Sequence, residues 1–289
     1  MMPVTKNAAA VRLEGLLSRP DGEWTLSEVA LVVSSLVRSP GESGDPAVDE
    51  QALSQLKSMA RRAKRELGDA EHPRFVAGSM SRTLIDIYGL RCATGKTAPE
   101  HYEIGAALES GASAPELFAI FLIEVSRMCR VRFDAIGLPG RLLLSRSRGE
   151  STHLFDPCGR LAAVGSAEFE RLVAESSGGR HRFSERFLRP ITSEQLVARY
   201  VGALKACFWR LNRFEQALGS VQMMLAIRPD DPREIRDQGR LLFLLGRNDE
   251  AIHVLELYLS HNPGGEDAEA VRMLIREARS GRVPEAERA

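Results

Sequence analysis

The sequence predicts an α+β fold that is mostly helical, in which a domain with a small antiparallel sheet is followed by an all-α repeat region. Three observations carry this. Residues 117–123 (Leu-Phe-Ala-Ile-Phe-Leu-Ile) are apolar on every face, so the helix they form must be buried all round. Strand-like runs at 131–136, 141–147 and 151–156 are separated by Gly137-Leu138-Pro139-Gly140 and Arg148-Gly149-Glu150 and stop at Pro157. The last third of the chain repeats itself with the period of a helix pair.

In chain order, an amphipathic segment at 11–17 ends at Pro20-Asp21-Gly22. Thr25 and Glu28 form a capping box for a helix whose stripe is Leu26, Val29, Val33 and Leu36. Residues 39–46 read as a loop, and a long helix runs from 49 to 67, burying Leu53, Leu56, Ala60, Ala63 and Leu67. Its Arg61-Arg62-Lys64-Arg65 cluster has no interleaved aromatics and reads as a solvated face. A helix at 75–88 closes at Gly89.

Gly95-Lys96-Thr97 resembles the end of a phosphate-binding loop, but Leu90 stands where the first Gly is required and a helix precedes it, so it reads as a surface loop. Ser113 is the expected cap of the central helix, with Pro115 in its first turn and Glu116 three residues on. After the hairpins come a short helix at 166–175, a Ser-Ser-Gly-Gly joint, a basic stretch at 180–191 and a Thr192/Gln195 cap.

At 289 residues the chain suits about two domains of roughly 150 residues each. Lys plus Arg and Asp plus Glu are equal at 39, so no global field favours nucleic acid or a membrane surface. No early apolar run has signal-peptide length, and nothing approaches the roughly 18 apolar residues of a membrane span. A cytoplasmic protein is expected. Cys92, Cys129, Cys158 and Cys207 are scattered and expected to be free thiols. The six histidines do not cluster, and His101-Tyr102-Glu103 lacks zinc spacing; neither metal nor cofactor is expected.

Ala217 and Ala251 stand 34 residues apart, and at that offset Leu211 matches Leu245, Arg213 matches Arg247, Leu225 matches Leu259 and Pro229 matches Pro263. A small residue opening the second helix and Pro closing the unit mark a tetratricopeptide repeat. Helices are expected at 197–211, 213–227, 233–245 and 247–260, with a last one from 266. Two such units cannot cover their own apolar faces and need a neighbour.

Pro139-Gly140 after a strand, Asp156-Pro157, and Arg236-Asp237-Gln238-Gly239 opening a repeat helix resemble, in order and spacing, the bacterial SirB family. Gln238 and Arg240 depart from that family's Arg-Asp-Arg-Gly-Leu pattern. The resemblance implies a transglutaminase-like, papain-like domain at 23–190 and repeats at 191–280, flanked by an N-terminal segment at 1–22 and a tail at 281–289.

Enzymes of that kind place a thiolate at the start of a buried helix, where the helix dipole lowers its pKa, and a His–Asp pair on adjacent strands. This chain has Ser113-Ala114-Pro115-Glu116 at the helix start and Cys129 at the far end, where the dipole would raise the thiol pKa. It has Arg141 where the family shows His. Asp156 is the surviving member.

Pairing Arg146 with Ser151 sets Arg141 opposite Asp156, Leu143 opposite Leu154 and Leu144 opposite His153. The site then holds an Arg–Asp ion pair, and Arg cannot act as a general base. The expectation is a pseudoenzyme scaffold, with no catalytic residue, whose repeat groove takes a protein or peptide partner through Arg199, Lys205, Arg236 and Arg240. The alternative is an amide hydrolase or transamidase with a shifted thiol, Cys158 or Cys92. His153 would point away from Asp156, so a His153–Cys158 pair would lack an orienting carboxylate. Arg180-His181-Arg182 with Arg186 and Arg189 reads as a solvated loop, and Phe208 and Trp209 as inter-helix packing.

Overall fold

The computed structural model describes residues 5–20, 23–38, 46–149, 151–180 and 183–281. The break at Asp21-Gly22, most of the 39–46 loop, Glu150, His181-Arg182 and the tail from 282 lie outside these residues. The chain divides into two units: Thr25–Tyr200, and Met1–Trp24 together with Val201–Ala289.

In the Thr25–Tyr200 unit, the predicted capping box is present: Glu28 N donates to Thr25 Oγ1 at 3.2 Å, Thr25 N donates to Glu28 Oε2 at 2.7 Å, and α2 runs Leu26–Ser34. α3 (Pro46–Leu67) buries Ala52, Leu56, Met59, Ala60, Ala63 and Leu67. Leu53 is only half-buried, one position off the stripe that faces the core. The predicted 75–88 helix is two pieces, α4 (Pro73–Ser81) and a π-helical turn, Arg82–Ile87, ended by Gly89 in the left-handed region at φ 72°.

A short parallel pair, β1 (Arg91–Cys92) with β2 (Ala112–Ser113), and α5 (Ile104–Ser110) between them were not expected from the sequence. Two-residue strands carry too little alternation to be seen. α6 (Pro115–Met128) is the predicted buried helix, and all its residues from Leu117 to Ser126 are buried. Its cap is Ala114, with no side-chain hydrogen bond. Ser113 is held in β2 opposite Cys92 and is not the cap expected for it.

The sheet has the order β3 (Asp134–Leu138), β4 (Arg141–Arg148), β5 (Ser151–Asp156), β6 (Ala162–Val164), all antiparallel. β3 starts three residues later than expected and takes in Leu138, leaving Pro139-Gly140 as a two-residue turn with Gly140 at φ 66°. Arg148 pairs with Ser151 across another tight turn, with Gly149 at φ 57°. The expected register therefore slips by two: Leu144 faces Phe155, Ser145 faces Leu154 and Arg146 faces His153. Because side chains alternate with period two, this slip leaves every residue on its predicted face. Ile136, Leu138, Leu143, Leu154 and Val164 pack with Phe169, Leu172 and Val173 of α7 (Ser166–Ser176).

In the other unit, α8 (Ser193–Arg210), capped by the predicted Thr192/Gln195 box, runs across the unit boundary. α9 (Phe214–Ile227), α10 (Pro232–Leu244), α11 (Asn248–His261) and α12 (Ala268–Arg279) follow within a residue or two of expectation. The repeat is exact in one conformational detail. Asn212 (φ 55°) and Gly246 (φ 73°), 34 residues apart, both take the left-handed turn after a first helix. Ala217 and Ala251 are fully buried, and Gly239 lies against Leu255. α1 (Ala8–Leu17), capped by Asn7, packs on α9; Gln222 accepts from Asn7 N at 2.7 Å and donates to Thr5 O at 2.9 Å.

Candidate functional site

Two places carry the residues singled out above. The first is the end of the β4–β5 ladder. Arg141 Nη2 donates to Asp156 Oδ2 at 2.6 Å, and Asp156 Oδ1 accepts from Cys158 N at 3.0 Å. Both carboxylate oxygens are thus engaged, one by a guanidinium and one by its own turn. The residues share a face with Leu143 and Leu154, the face covered by α7.

Arg199 belongs to this region. Its Nη2 donates to Leu138 O at 2.7 Å and Arg141 O at 2.9 Å, clamping the Pro139-Gly140 turn. It is not a member of the repeat groove expected for it, because it stands on the part of α8 that belongs to the Thr25–Tyr200 unit. Burial lowers its pKa and the Glu116 carboxylate opposes that. Glu116, at the start of α6, has its pKa raised by burial, against its own backbone N–H and Arg199.

The expected thiols are also corrected. Cys92 and Cys158 are joined in a disulfide across 66 residues of chain, so neither carries a free thiol in this state. Spacing could not show this, since β1 and the β5–β6 turn meet only in the fold. Cys129, at the far end of α6, is buried, donates to Ala60 O at 3.3 Å, and has its pKa raised by that burial. The His153 ring lies near that of His72, centroids 5.9 Å apart and planes tilted by 59°. Among the described residues no group of three or more His, Cys, Asp or Glu is placed to hold a metal ion, and no helix is long and apolar enough to cross a membrane.

The second place is the surface of α8, α10 and α12. One groove of about 400 Å³ is lined by Lys205, Trp209 and Arg210 of α8 with Arg236, Asp237 and Arg240 of α10. A second of about 430 Å³ shares Arg236 and Arg240 and continues onto Val271, Met273 and Leu274 of α12. The cations are largely matched from within. Lys205 Nζ lies 2.8 Å from Glu234 and 3.1 Å from Asp237, and Arg236 pairs with Asp237 at 2.9 Å and with Asp267. Burial raises the Glu234 pKa and Lys205 opposes it.

Arg240, like Arg210, is an exposed cation of the groove; it lies 4.0 Å from Asp237 with its guanidinium over the Trp209 ring at 5.2 Å. Trp209 is therefore part of the groove wall as well as packing. The acids Glu234 and Asp237 were missed, although their spacing of one helical turn opposite Lys205 is the legible signal.

Residues 50–202 match the family model described as Transglutaminase-like superfamily, and residues 204–276 match the one described as Tetratricopeptide repeat. A UPF0162 protein of Xylella fastidiosa (strain 9a5c) is 23% identical over 177 residues, covering 60% of this chain and 63% of that protein. One from Vibrio cholerae is 23% identical over 173 residues, covering 60% and 64%. The chain thus spans less than two thirds of the length of the curated relatives it matches. No solved structure matches it.

Proposed function

Since this chain belongs to the transglutaminase-like superfamily, we propose that it keeps the domain as architecture without turnover and uses its tetratricopeptide helices to hold a protein or peptide partner. The arrangement is of the SirB type and the setting cytoplasmic. The observation that carries this is the guanidinium on Asp156: the position beside the carboxylate is occupied by Arg141, whose guanidinium donates hydrogen bonds and accepts none. The start of α6 supplies Ala114, Pro115 and Glu116 and no sulfur.

The partner face is the groove shared by Trp209, Arg236 and Arg240, with an apolar wall of Val271 and Leu274. Because Lys205 and Arg236 are matched by Glu234, Asp237 and Asp267, the groove asks for an extended peptide with apolar side chains and one carboxylate for Arg240, not for a strongly acidic segment.

The test is affinity capture from the source bacterium, comparing the full chain with Arg236→Glu/Arg240→Glu. Loss of a reproducible partner in the variant supports the groove, and unchanged capture retires it. Amide hydrolysis or amine transfer by the purified, reduced chain would retire the non-catalytic half.

A further inference from the structure

We propose that Cys92 and Cys158 form a reversible dithiol–disulfide site, opened by an external thiol or dithiol reductant, which locks the turn over Asp156. This goes beyond the scaffold reading and does not depend on the repeat groove. The bond links β1 to the β5–β6 turn. Cys158 is an exposed residue and Cys92 half-buried, whereas Cys129 and Cys207 are buried, so Cys158 is the half of the bond nearer to solvent. In a cytoplasmic setting, a disulfide of this kind belongs with the transient and sensing ones.

The turn it holds is a strained one. Arg160 (φ 59°) and Leu161 (φ 57°) are consecutive non-glycine residues in the left-handed region, a conformation that persists only where the surroundings over-determine it. The surroundings here are the Cys158 bond, the Arg160–Asp86 ion pair, Leu161 N donating to Asp156 O at 2.8 Å, and Cys158 N on the Asp156 carboxylate. A Cβ on Gly159 would lie 3.0 Å from Asp156 Oδ2, so the turn sits directly against that carboxylate. On the other side of the bond, Cys92 pairs with Ser113 and Ala93 N donates to Ser113 O at 2.8 Å, one residue before the cap of α6. The disulfide therefore fastens the Asp156 turn to the start of the central helix.

The exchange balances in two steps. A reductant thiolate attacks Cys158 Sγ, forming a mixed disulfide and expelling the Cys92 thiolate, which takes a proton from water. A second reductant thiolate attacks the reductant sulfur of the mixed disulfide and expels the Cys158 thiolate, which is protonated in turn. Two electrons and two protons enter the protein and the reductant leaves as its disulfide. The turn then keeps the Arg160–Asp86 tether and loses the covalent one.

The experiment poises the full chain in defined ratios of reduced to oxidised dithiothreitol, traps thiols by alkylation and reads intact and peptide masses with hydrogen exchange. The expected result is one two-electron transition at Cys92 and Cys158 with Cys129 and Cys207 unlabelled. Exchange across 157–161 should rise about ten-fold on reduction while that of 115–128 stays unchanged. Cys92→Ser/Cys158→Ser should show the fast exchange without reductant. Labelling of all four cysteines together, failure of the reduced chain to re-form the Cys92–Cys158 bond when returned to oxidised dithiothreitol, or equal exchange in both redox states would overturn the proposal.

Discussion

Arg141 reaches Asp156 diagonally across two strands. With Leu144 opposite Phe155, Leu143 stands level with Asp156 and Arg141 two residues farther along, yet Nη2 and Oδ2 are 2.6 Å apart. A diagonal neighbour on the same face lies within reach of a side chain as long as arginine. The Arg141 side chain is 41% exposed and that of Asp156 17%, so water screens the pair. A double-mutant cycle with Arg141→Ala and Asp156→Ala, read by urea denaturation, should give a coupling of about 0.2–1 kcal/mol. A coupling several times larger would mean the pair is far drier than its exposure indicates.

Burial holds the Glu116 pKa above the usual carboxylate range. The folded state then keeps its proton at pH values where the unfolded chain has released it, so stability falls as pH rises from the carboxylate range through the raised folded value. Glu116→Gln removes that loss. The variant should unfold at a higher denaturant concentration than wild type near pH 7, with the difference vanishing toward pH 4, below which both carboxyls are protonated. A variant less stable than wild type at pH 7 would show that attraction to Arg199 outweighs burial at this position.

What the sequence could tell depended on how local each signal was. The Thr25/Glu28 box, the all-apolar run of α6 and the 34-residue match of Ala217 to Ala251 are written within a few turns of chain, and the structure reproduces them. The Arg141–Asp156 contact survived a wrong register because a slip of two preserves the face. The disulfide, the role of Arg199 at the Leu138 and Arg141 carbonyls, and the acids around Lys205 depend on contacts between distant segments or on side-chain direction. Periodicity is blind to these. The expectation that four scattered cysteines stay free rested on spacing and chain length; it holds for Cys129 and Cys207, while the meeting of β1 with the β5–β6 turn that joins Cys92 to Cys158 is a tertiary event.

Gly239 tests whether the repeat depends on close helix approach. It sits on α10, and a Cβ built there would lie 2.5 Å from both Cγ and Cδ2 of Leu255 on α11. Contact with Cγ matters, since rotating the isobutyl end cannot relieve it. Leu255 is itself fully buried against Tyr258, Val271 and Ile275, so α11 has to move away from α10 or Leu255 has to leave its rotamer. Helix propensity favours Ala over Gly by up to about 1 kcal/mol. Overpacking of this kind costs about 1–3 kcal/mol. Gly239→Ala should therefore lower the stability of the repeat unit by a net 1 kcal/mol or so, seen as earlier loss of protection in α10 and α11 by hydrogen exchange while α6 is unaffected. A variant as stable as wild type would show that the two helices are not held at the distance their 34-residue pattern requires.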